Sequence, residues 1–342
     1  MKKYIPIVLF CAAISIGFFV QSSNELIYPD YFPDINYNIE RNNISADKIN
    51  LGRALFFDPI LSKDNTVSCA SCHSPYNAFA HTDHDLSHGI DDNIGTRNAP
   101  ALFNLAWNKS FMWDGAINHL DMQALAPITS ENEMGSDINH VTKKLQDSHI
   151  YPSLFLKSFG DSVVTGEHIL KALSQFQLTL ISADSKYDQV KKGEEIFSAK
   201  EENGYAIFKK ECNSCHSEPL FTNLGFANNG LDIDSTLIDY GKMNVTKNPK
   251  DSMLFKVPSL RNLSYTFPYM HDGRFRKLNQ VLDRYQQITP DKNLSGTLEK
   301  SIQLNPHERI DLISFLLTLN DSAFVFNPKH QYPLEILNPT KD

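Results

Sequence analysis

Apolar side chains recur at helical spacing in several separate stretches of the chain. Residues 166–182 place four of them on one face, which predicts an amphipathic helix: Ile169, Leu173, Phe176 and Leu180. Residues 45–57 carry a second helical pattern, which ends at Asp58-Pro59. Alternating strand patterns are few, so the chain is predicted to be mainly α-helical.

Two more helices are predicted from the residues that begin them. Ser198 and Glu201 have the spacing of a capping box, and the helix after them is expected to reach about residue 210. Asn305-Pro306, with Glu308 following the asparagine at the third position, predicts a further helix start. We expect that helix to bury the face that carries Ile310, Ile313 and Leu317.

Less regular segments separate these helices. Residues 1–23 join two lysines to an apolar run, which is the pattern of an export signal peptide or of an uncleaved anchor. The run is short for a membrane-spanning helix, so we predict a signal peptide and no stable span after processing. Residues 24–44 are predicted to be an extended lead-in, and residues 183–195 a polar linker between two domains, 45–185 and 190–330.

The composition supports two domains and argues against one class of function. The chain has 342 residues, of which 41% are hydrophobic, and this is enough for two cores. The formal net charge is −8, and no basic patch is visible. Nucleic-acid binding is therefore not expected.

Each predicted domain contains one C-x-x-C-H motif, formed in the first by Cys69, Cys72 and His73 and in the second by Cys212, Cys215 and His216. Such a motif is compatible with zinc, with a redox dithiol or with covalent haem. Zinc needs four converging ligands, and a dithiol has no use for the histidine. Haem uses every residue, because the thiols bond its vinyl groups and the histidine binds its iron.

The cysteine count favours haem in both motifs. Of the five cysteines, Cys11 lies in the signal segment and the other four lie in the motifs. Export agrees with this interpretation, since c-type haem is attached outside the cytoplasm. We predict two c-type haems, with His73 and His216 as their proximal iron ligands. The order of helix, motif, long loop and helices occurs twice, which favours two related domains.

Two longer segments carry a resemblance to a known family. Residues 95–135 (GTRNAPALFNLAWNKSFMWDGAINHLDMQALAPITSENEMG) and 257–285 (VPSLRNLSYTFPYMHDGRFRKLNQVLDRY) resemble the bacterial dihaem cytochrome c peroxidases, a family that includes a MauG-like branch. The resemblance implies two cytochrome c-like domains. It also implies that the N-terminal haem reacts with hydrogen peroxide and that the C-terminal haem transfers electrons.

The resemblance implies roles for three side chains. Glu133 matches the family's distal glutamate, which can carry the proton that O–O cleavage requires. Gln123 matches its glutamine partner, whose amide can orient peroxide. Trp113 matches a tryptophan between the two haems. Taken alone, Glu133 would more often be a surface residue and Trp113 a core residue.

A calcium ion is implied by the same resemblance. The side chain of Asn98 and the backbone carbonyls of Thr266 and Pro268 match the family's calcium ligands. Amide and carbonyl oxygens suit a hard cation whose shell is completed by water. Calcium is therefore an expectation from the family alone.

Tyr285 marks a departure from the true peroxidases of the family. They have a methionine at this position as second ligand to the electron-transfer haem, whereas the MauG-like branch has a tyrosine. A phenolate ligand is expected to lower the haem potential. The alternatives are that Met270 is the ligand, or that Tyr285 only packs in the core.

Ile90 marks a second departure. It stands at about the position of the loop histidine that caps the peroxide haem in many true peroxidases. His81, His84 and His88 are near but not aligned, so a five-coordinate N-terminal iron is expected if none of them binds. Pro127 matches a distal-pocket proline of the MauG-like branch.

The expected function is that of a periplasmic dihaem peroxidase. It would reduce hydrogen peroxide with electrons from a small cytochrome c or a cupredoxin. One alternative is MauG-like oxidation of a protein or organic substrate. Another, from a different class, is a dihaem electron carrier without peroxide chemistry.

Overall fold

A computed structural model describes residues 25–288 and 301–338 of the chain. The predicted signal peptide lies outside these residues. Within them the protein is mainly helical, with one two-stranded antiparallel sheet. None of the helices in these two ranges is both long enough and apolar enough to cross a membrane.

The N-terminal half is built around a crossing of two helices, α1 (Ala46–Phe57) and α7 (Gly166–Leu178). A Cβ added at Gly52 would lie 1.9 Å from the carbonyl oxygen of Ala172, so only glycine allows so close an approach. The first C-x-x-C-H motif begins α2 (Cys69–Cys72). The other helices here are α3 (Leu120–Gln123), α4 (Leu125–Thr129), α5 (Ile138–Gln146) and α6 (Tyr151–Phe159).

The C-terminal half repeats this crossing with α9 (Ala199–Glu211) and α12 (Pro306–Leu317). Here a Cβ at Gly204 would lie 1.9 Å from the carbonyl oxygen of Asp311. The second motif directly follows α9. The other helices of this half are α8 (Lys186–Lys192), α10 (Met243–Thr246) and α11 (Leu278–Gln287), whereas α13 (Ser322–Val325) and α14 (Leu334–Leu337) pack back against the N-terminal core.

A short sheet lies beside the second motif and the junction of the halves. Strand β1 (Phe226–Ala227) pairs with β2 (Phe255–Lys256), so that Phe226 faces Lys256. The N–H of Lys256 also donates to the carbonyl oxygen of Trp113, at 2.8 Å. The sheet therefore attaches the C-terminal half to the segment that carries Trp113.

Several helix predictions are confirmed. Helix α1 ends at Phe57, and the four apolar residues predicted for α7 are all buried, although Leu180 lies beyond the end of the helix at Leu178. The capping box at Ser198 and Glu201 forms, as does the one at Asn305 and Glu308. Each is a local signal between residues a few positions apart, which explains why the sequence alone reveals it.

The predicted buried face of α12 is wrong at two of its three residues, and only Ile313 packs against the core. Ile310 is 52% exposed and Leu317 is 44% exposed, and the buried side chains are instead Leu312, Phe315 and Leu316. This helix has apolar residues on more than one side. The close approach of α9 at Gly204 decides which side is buried, and that contact is not visible in the periodicity.

The polar segment 183–195 is also more ordered than a linker. It contains α8, whose Ser185 cap accepts from the N–H of Asp188 while the Asp188 side chain accepts from the N–H of Ser185. Asp188 accepts two hydrogen bonds of 2.7 Å from the buried guanidinium of Arg261. The pair anchors α8 to the segment that follows the second motif.

Candidate active site

One cavity of about 530 Å³ connects the two C-x-x-C-H motifs. It is bordered on the N-terminal side by Cys72 and His73, and on the C-terminal side by Cys212, Cys215 and His216. Its size is in the range of cofactor sites. The two motif histidines are 143 residues apart in the sequence, and the fold brings both to the same cavity.

His73 is prepared for metal binding by its second nitrogen. Its Nδ1 lies 2.9 Å from the carbonyl oxygen of Phe79, which can only accept, so Nδ1 carries the proton. Burial lowers the pKa of His73 to about 4, which keeps the ring neutral at physiological pH. Nε2 therefore retains its lone pair, as an iron ligand requires.

His216 repeats this arrangement. Its Nδ1 lies 3.1 Å from the carbonyl oxygen of Pro258 and 3.3 Å from that of Phe221. Burial lowers its pKa to about 4 as well. The four cysteines of the two motifs have free sulfurs, and burial raises the pKa of Cys69 to about 12. These residues fit a covalent haem at each motif.

Glu133 and Gln123 border the N-terminal part of the cavity, together with Pro127. Burial raises the pKa of the Glu133 carboxyl, and a hydrogen bond with Ser130 partly offsets this. Gln123 is buried at the end of α3, with its Nε2 4.0 Å from the sulfur of Met112. A carboxyl group and an amide thus share the space beside the first motif.

Trp113 also borders the cavity. Its indole N–H donates to the carbonyl oxygen of Asn98, at 2.9 Å, and its own carbonyl accepts from Lys256. The indole is therefore fixed by one bond within the N-terminal half, and the Trp113 backbone is bonded to the other half. A rigid aromatic ring stands at the junction of the two motif environments.

Tyr285 and Met270 both border the C-terminal part of the cavity, so the structure brings both rival ligands to the same space. Burial raises the pKa of Tyr285 to about 12, opposed by a hydrogen bond from Asn229. The same Asn229 places its Nδ2 3.4 Å from the sulfur of Met270. A nearby iron would favour the phenolate that burial disfavours.

The three loop histidines form a stack rather than a metal cluster. The ring centroids of His84 and His88 are 4.4 Å apart, and those of His81 and His84 are 5.7 Å apart. His88 is bonded through Nδ1 to Asp92, at 2.8 Å. In the part of the chain that the structure describes, none of the three borders the cavity, and no group of three metal-binding side chains is found.

Comparison with known proteins identifies the family of this chain. Residues 46–196 match the sequence model of the di-haem cytochrome c peroxidases. The methylamine utilization protein MauG of Methylorubrum extorquens is 37% identical over 289 residues, which cover 81% of this chain and 79% of that protein. The chain belongs to the di-haem cytochrome c peroxidase family. This confirms the predicted family and its c-type haems.

Further members of the family extend the comparison. The cytochrome c551 peroxidase of Nitrosomonas europaea is 32% identical over 312 residues, which cover 87% of this chain and 85% of that protein. The crystal structure of a MauG-like protein associated with microbial copper homeostasis superimposes with a TM-score of 0.80, at 30% identity, and the match covers 89% of this chain and 98% of that one. Two cytochrome c-like domains are thereby confirmed.

The three residues predicted to bind calcium all border the cavity of this di-haem peroxidase: Asn98, Thr266 and Pro268. The side-chain amide of Asn98 donates to the carbonyl oxygen of Asp85, at 3.0 Å, and its backbone N–H donates to that of His271, at 2.8 Å. Asn98 therefore connects the two halves beside the site. Calcium itself stays a prediction.

Two features of this site were missed in the sequence. Lys256 borders the cavity, donates from Nζ to Asn108 at 3.1 Å, and has a pKa lowered to about 8 by burial. The residues beside Lys256 in the sequence do not indicate that its side chain is buried. The second feature is an internal repeat of FMWDG (111–115) and YMHDG (269–273), in which His271 corresponds to Trp113. That repeat was visible in the sequence.

Proposed function

We propose that the protein is a periplasmic dihaem peroxidase whose N-terminal motif holds the peroxide-reacting haem. The observation that carries this proposal is the single cavity that borders both motif histidines, Glu133 and Trp113. An electron carrier would need no carboxyl group beside its haem. Glu133 supplies one, with a raised pKa and a position next to the first motif.

The chain's own residues would hold one haem at each motif. Cys69 and Cys72 would form the thioether bonds of the first, with His73 as ligand through Nε2. Cys212, Cys215 and His216 would do the same for the second. The bound haem supplies an iron that exchanges electrons one at a time and binds peroxide.

Glu133 is proposed to move the proton on which O–O cleavage depends. Its carboxylate takes the proton from one oxygen of hydrogen peroxide and returns it to the other oxygen, which then leaves as water. Two electrons and two further protons complete the reduction of hydrogen peroxide to two waters. Gln123, which has both donor and acceptor atoms, would orient the peroxide without competing for its proton.

Trp113 is proposed to shorten the electron path between the two haems. The hydrogen bond from its indole N–H to Asn98 holds the ring, and the bond from the N–H of Lys256 to its carbonyl oxygen holds its backbone at the junction. We further propose that Tyr285 rather than Met270 is the second ligand of the C-terminal haem, because both border the cavity but only Tyr285 stands at the position that matches the family's second ligand. Calcium at Asn98, Thr266 and Pro268 would brace the same junction.

A second candidate function is MauG-like oxidation of a protein or organic substrate. Tyr285 and Pro127 at the cavity wall favour it, as does the 37% identity with a methylamine utilization protein MauG. The two candidates share the reaction with peroxide and differ in the electron donor. For the peroxidase, we propose a small cytochrome c or a cupredoxin.

Rapid mixing of the purified holoprotein with hydrogen peroxide tests the proposal. The expected result is a change in the haem spectrum within milliseconds, followed by steady oxidation of reduced cytochrome c. A spectrum of two six-coordinate haems that does not respond to peroxide would instead identify an electron carrier. Reaction with peroxide, but no oxidation of cytochrome c or cupredoxin, would favour the MauG-like alternative.

A further inference from the structure

The loop that carries Ile90 lies directly against the segment that carries Glu133. The N–H of Ile90 donates to the carbonyl oxygen of Glu133, at 2.8 Å. In the same loop, the side-chain amide of Asn93 donates to the carbonyl oxygen of Glu131, at 3.4 Å. Two hydrogen bonds therefore join segments that lie about forty residues apart in the sequence.

The side chain of Ile90 fills the space over Gly135. Gly135 has φ +56°, a left-handed conformation that suits glycine, and a Cβ there would lie 2.2 Å from Cδ1 of Ile90. Ile90 is itself buried. The turn that presents Glu133 is thus held from outside by one isoleucine.

The backbone of Gly89 lies close against the backbone of Asn132 and Glu133. A Cβ at this position would lie 2.2 Å from the carbonyl oxygen of Asn132 and 2.5 Å from Cα of Glu133. The loop also reaches the first motif, since the sulfur of Cys72 lies 3.5 Å from the carbonyl oxygen of His88. The same loop therefore contacts a haem-attaching cysteine and the proposed proton carrier.

We propose that Ile90 is a positioning residue, which together with Gly89 fixes the Glu133 carboxyl group relative to the N-terminal haem. This inference rests on the role proposed above for Glu133. It gives a function to Ile90, which stands at about the position of the loop histidine that caps the peroxide haem in many true peroxidases. Ile90 does not border the cavity, so it acts through Glu133 and not on peroxide.

Ile90→Ala removes the cover over Gly135 and retains the backbone N–H. Small misplacements of a catalytic group cost up to about 100-fold in rate, so we expect a loss of about 10- to 100-fold in kcat with peroxide. The kcat/KM for the electron donor should not change, because the donor reacts in a separate step. Ile90→Val keeps most of the packing and should restore most of the rate.

Gly89→Ala is the complementary test. Relief of its contacts requires Glu133 to move by roughly 1 Å, and the expected loss is about 100-fold. Ile94→Ala is the control, because Ile94 belongs to the same loop but is 58% exposed. It should retain the rate of the unchanged protein. Haem content and melting temperature are measured for every variant.

A double-mutant cycle decides the inference. If Ile90 acts through Glu133, Ile90→Ala has no further effect in a protein that already carries Glu133→Gln. Equal losses in both backgrounds, or a normal rate for Ile90→Ala and Gly89→Ala, would overturn it. If Ile90→Ala does not fold, Gly89→Ala and Ile90→Val are compared in the same cycle. Failure of the unchanged protein to react with peroxide would instead refute the proposed function.

Discussion

Replacement of Asp188 by asparagine should destabilise the C-terminal half strongly. Asp188 and Arg261 are both fully buried, and two hydrogen bonds of 2.7 Å join them. Asp188 also accepts from the hydroxyls of Tyr31 and Ser185, at 2.7 and 2.6 Å. The substitution leaves the guanidinium charge buried without its counter-charge, which typically costs about 3–5 kcal/mol.

The cost should appear as a large shift in melting temperature. At about 2–4 °C per kcal/mol for units of 150–250 residues, the expected drop is roughly 6–20 °C. The effect should reach the second haem, because Arg261 follows Pro258, whose carbonyl accepts from His216. The assay is thermal unfolding of the holoprotein, recorded by circular dichroism in the far ultraviolet and in the Soret band.

Glu167→Gln is the matched control for this prediction. Glu167 pairs with Lys171 at 2.6 Å on an exposed helix surface, where water screens the charges and such pairs contribute little to stability. Its melting temperature should therefore stay within about 2 °C of the unchanged protein. If Asp188→Asn lowers the melting temperature no more than Glu167→Gln, the buried pair does not have the anchoring role assigned to it.

The same pair predicts the sign of an acid effect. Burial alone would raise the pKa of Asp188, but the hydrogen bonds and charge of Arg261 outweigh it and lower the pKa. The folded state therefore binds fewer protons than the unfolded state. The stabilisation is present above the ordinary pKa of aspartate and is lost as the pH falls through the lower folded value. Asp188→Asn should flatten this part of the pH–stability curve.

Three further outcomes are expected. Gly52→Ala should lower the free energy of unfolding by several kcal/mol or prevent folding, because its Cβ would lie 1.9 Å from the carbonyl oxygen of Ala172. Thermal unfolding measures the loss of stability. Tyr285→Phe should change the low-spin spectrum and raise the potential of the C-terminal haem in a redox titration, whereas an unchanged spectrum would make Tyr285 a core residue only. Chelation of calcium should slow electron transfer between the haems, and Asn98→Ala should abolish this sensitivity; a chelator without effect would contradict calcium binding.

Local signals account for what the sequence revealed about the fold. The C-x-x-C-H motifs and the capping boxes each involve residues within five positions of one another, so no knowledge of the fold is needed to recognise them. The α12 face could not be assigned in this way. Both Phe315 and Leu317 are apolar, and the contact with α9 decides which of them is buried.

The contacts around the site join segments that are far apart in the sequence. The Ile90–Glu133 bond and the Asp188–Arg261 pair join residues that are 43 and 73 positions apart. The polar sequence 183–195 indicated a linker because nothing local revealed that Arg261 would neutralise Asp188. The resemblance names the residues that are proposed to react, and only the structure identifies those that contact the segment of Glu133.

The central claim is tested most directly by the rate of reaction with hydrogen peroxide. This rate is measured by rapid mixing across a range of pH, for the unchanged protein and for Glu133→Gln. Proton transfer by a positioned side chain is worth about 10²–10⁴-fold, so Glu133→Gln should slow the reaction by that factor with both haems retained. Because burial raises the pKa of Glu133, the unchanged protein should lose rate as the pH falls through that raised value, and the variant should lack this dependence. An undiminished rate, or an identical pH dependence in both proteins, would contradict the account.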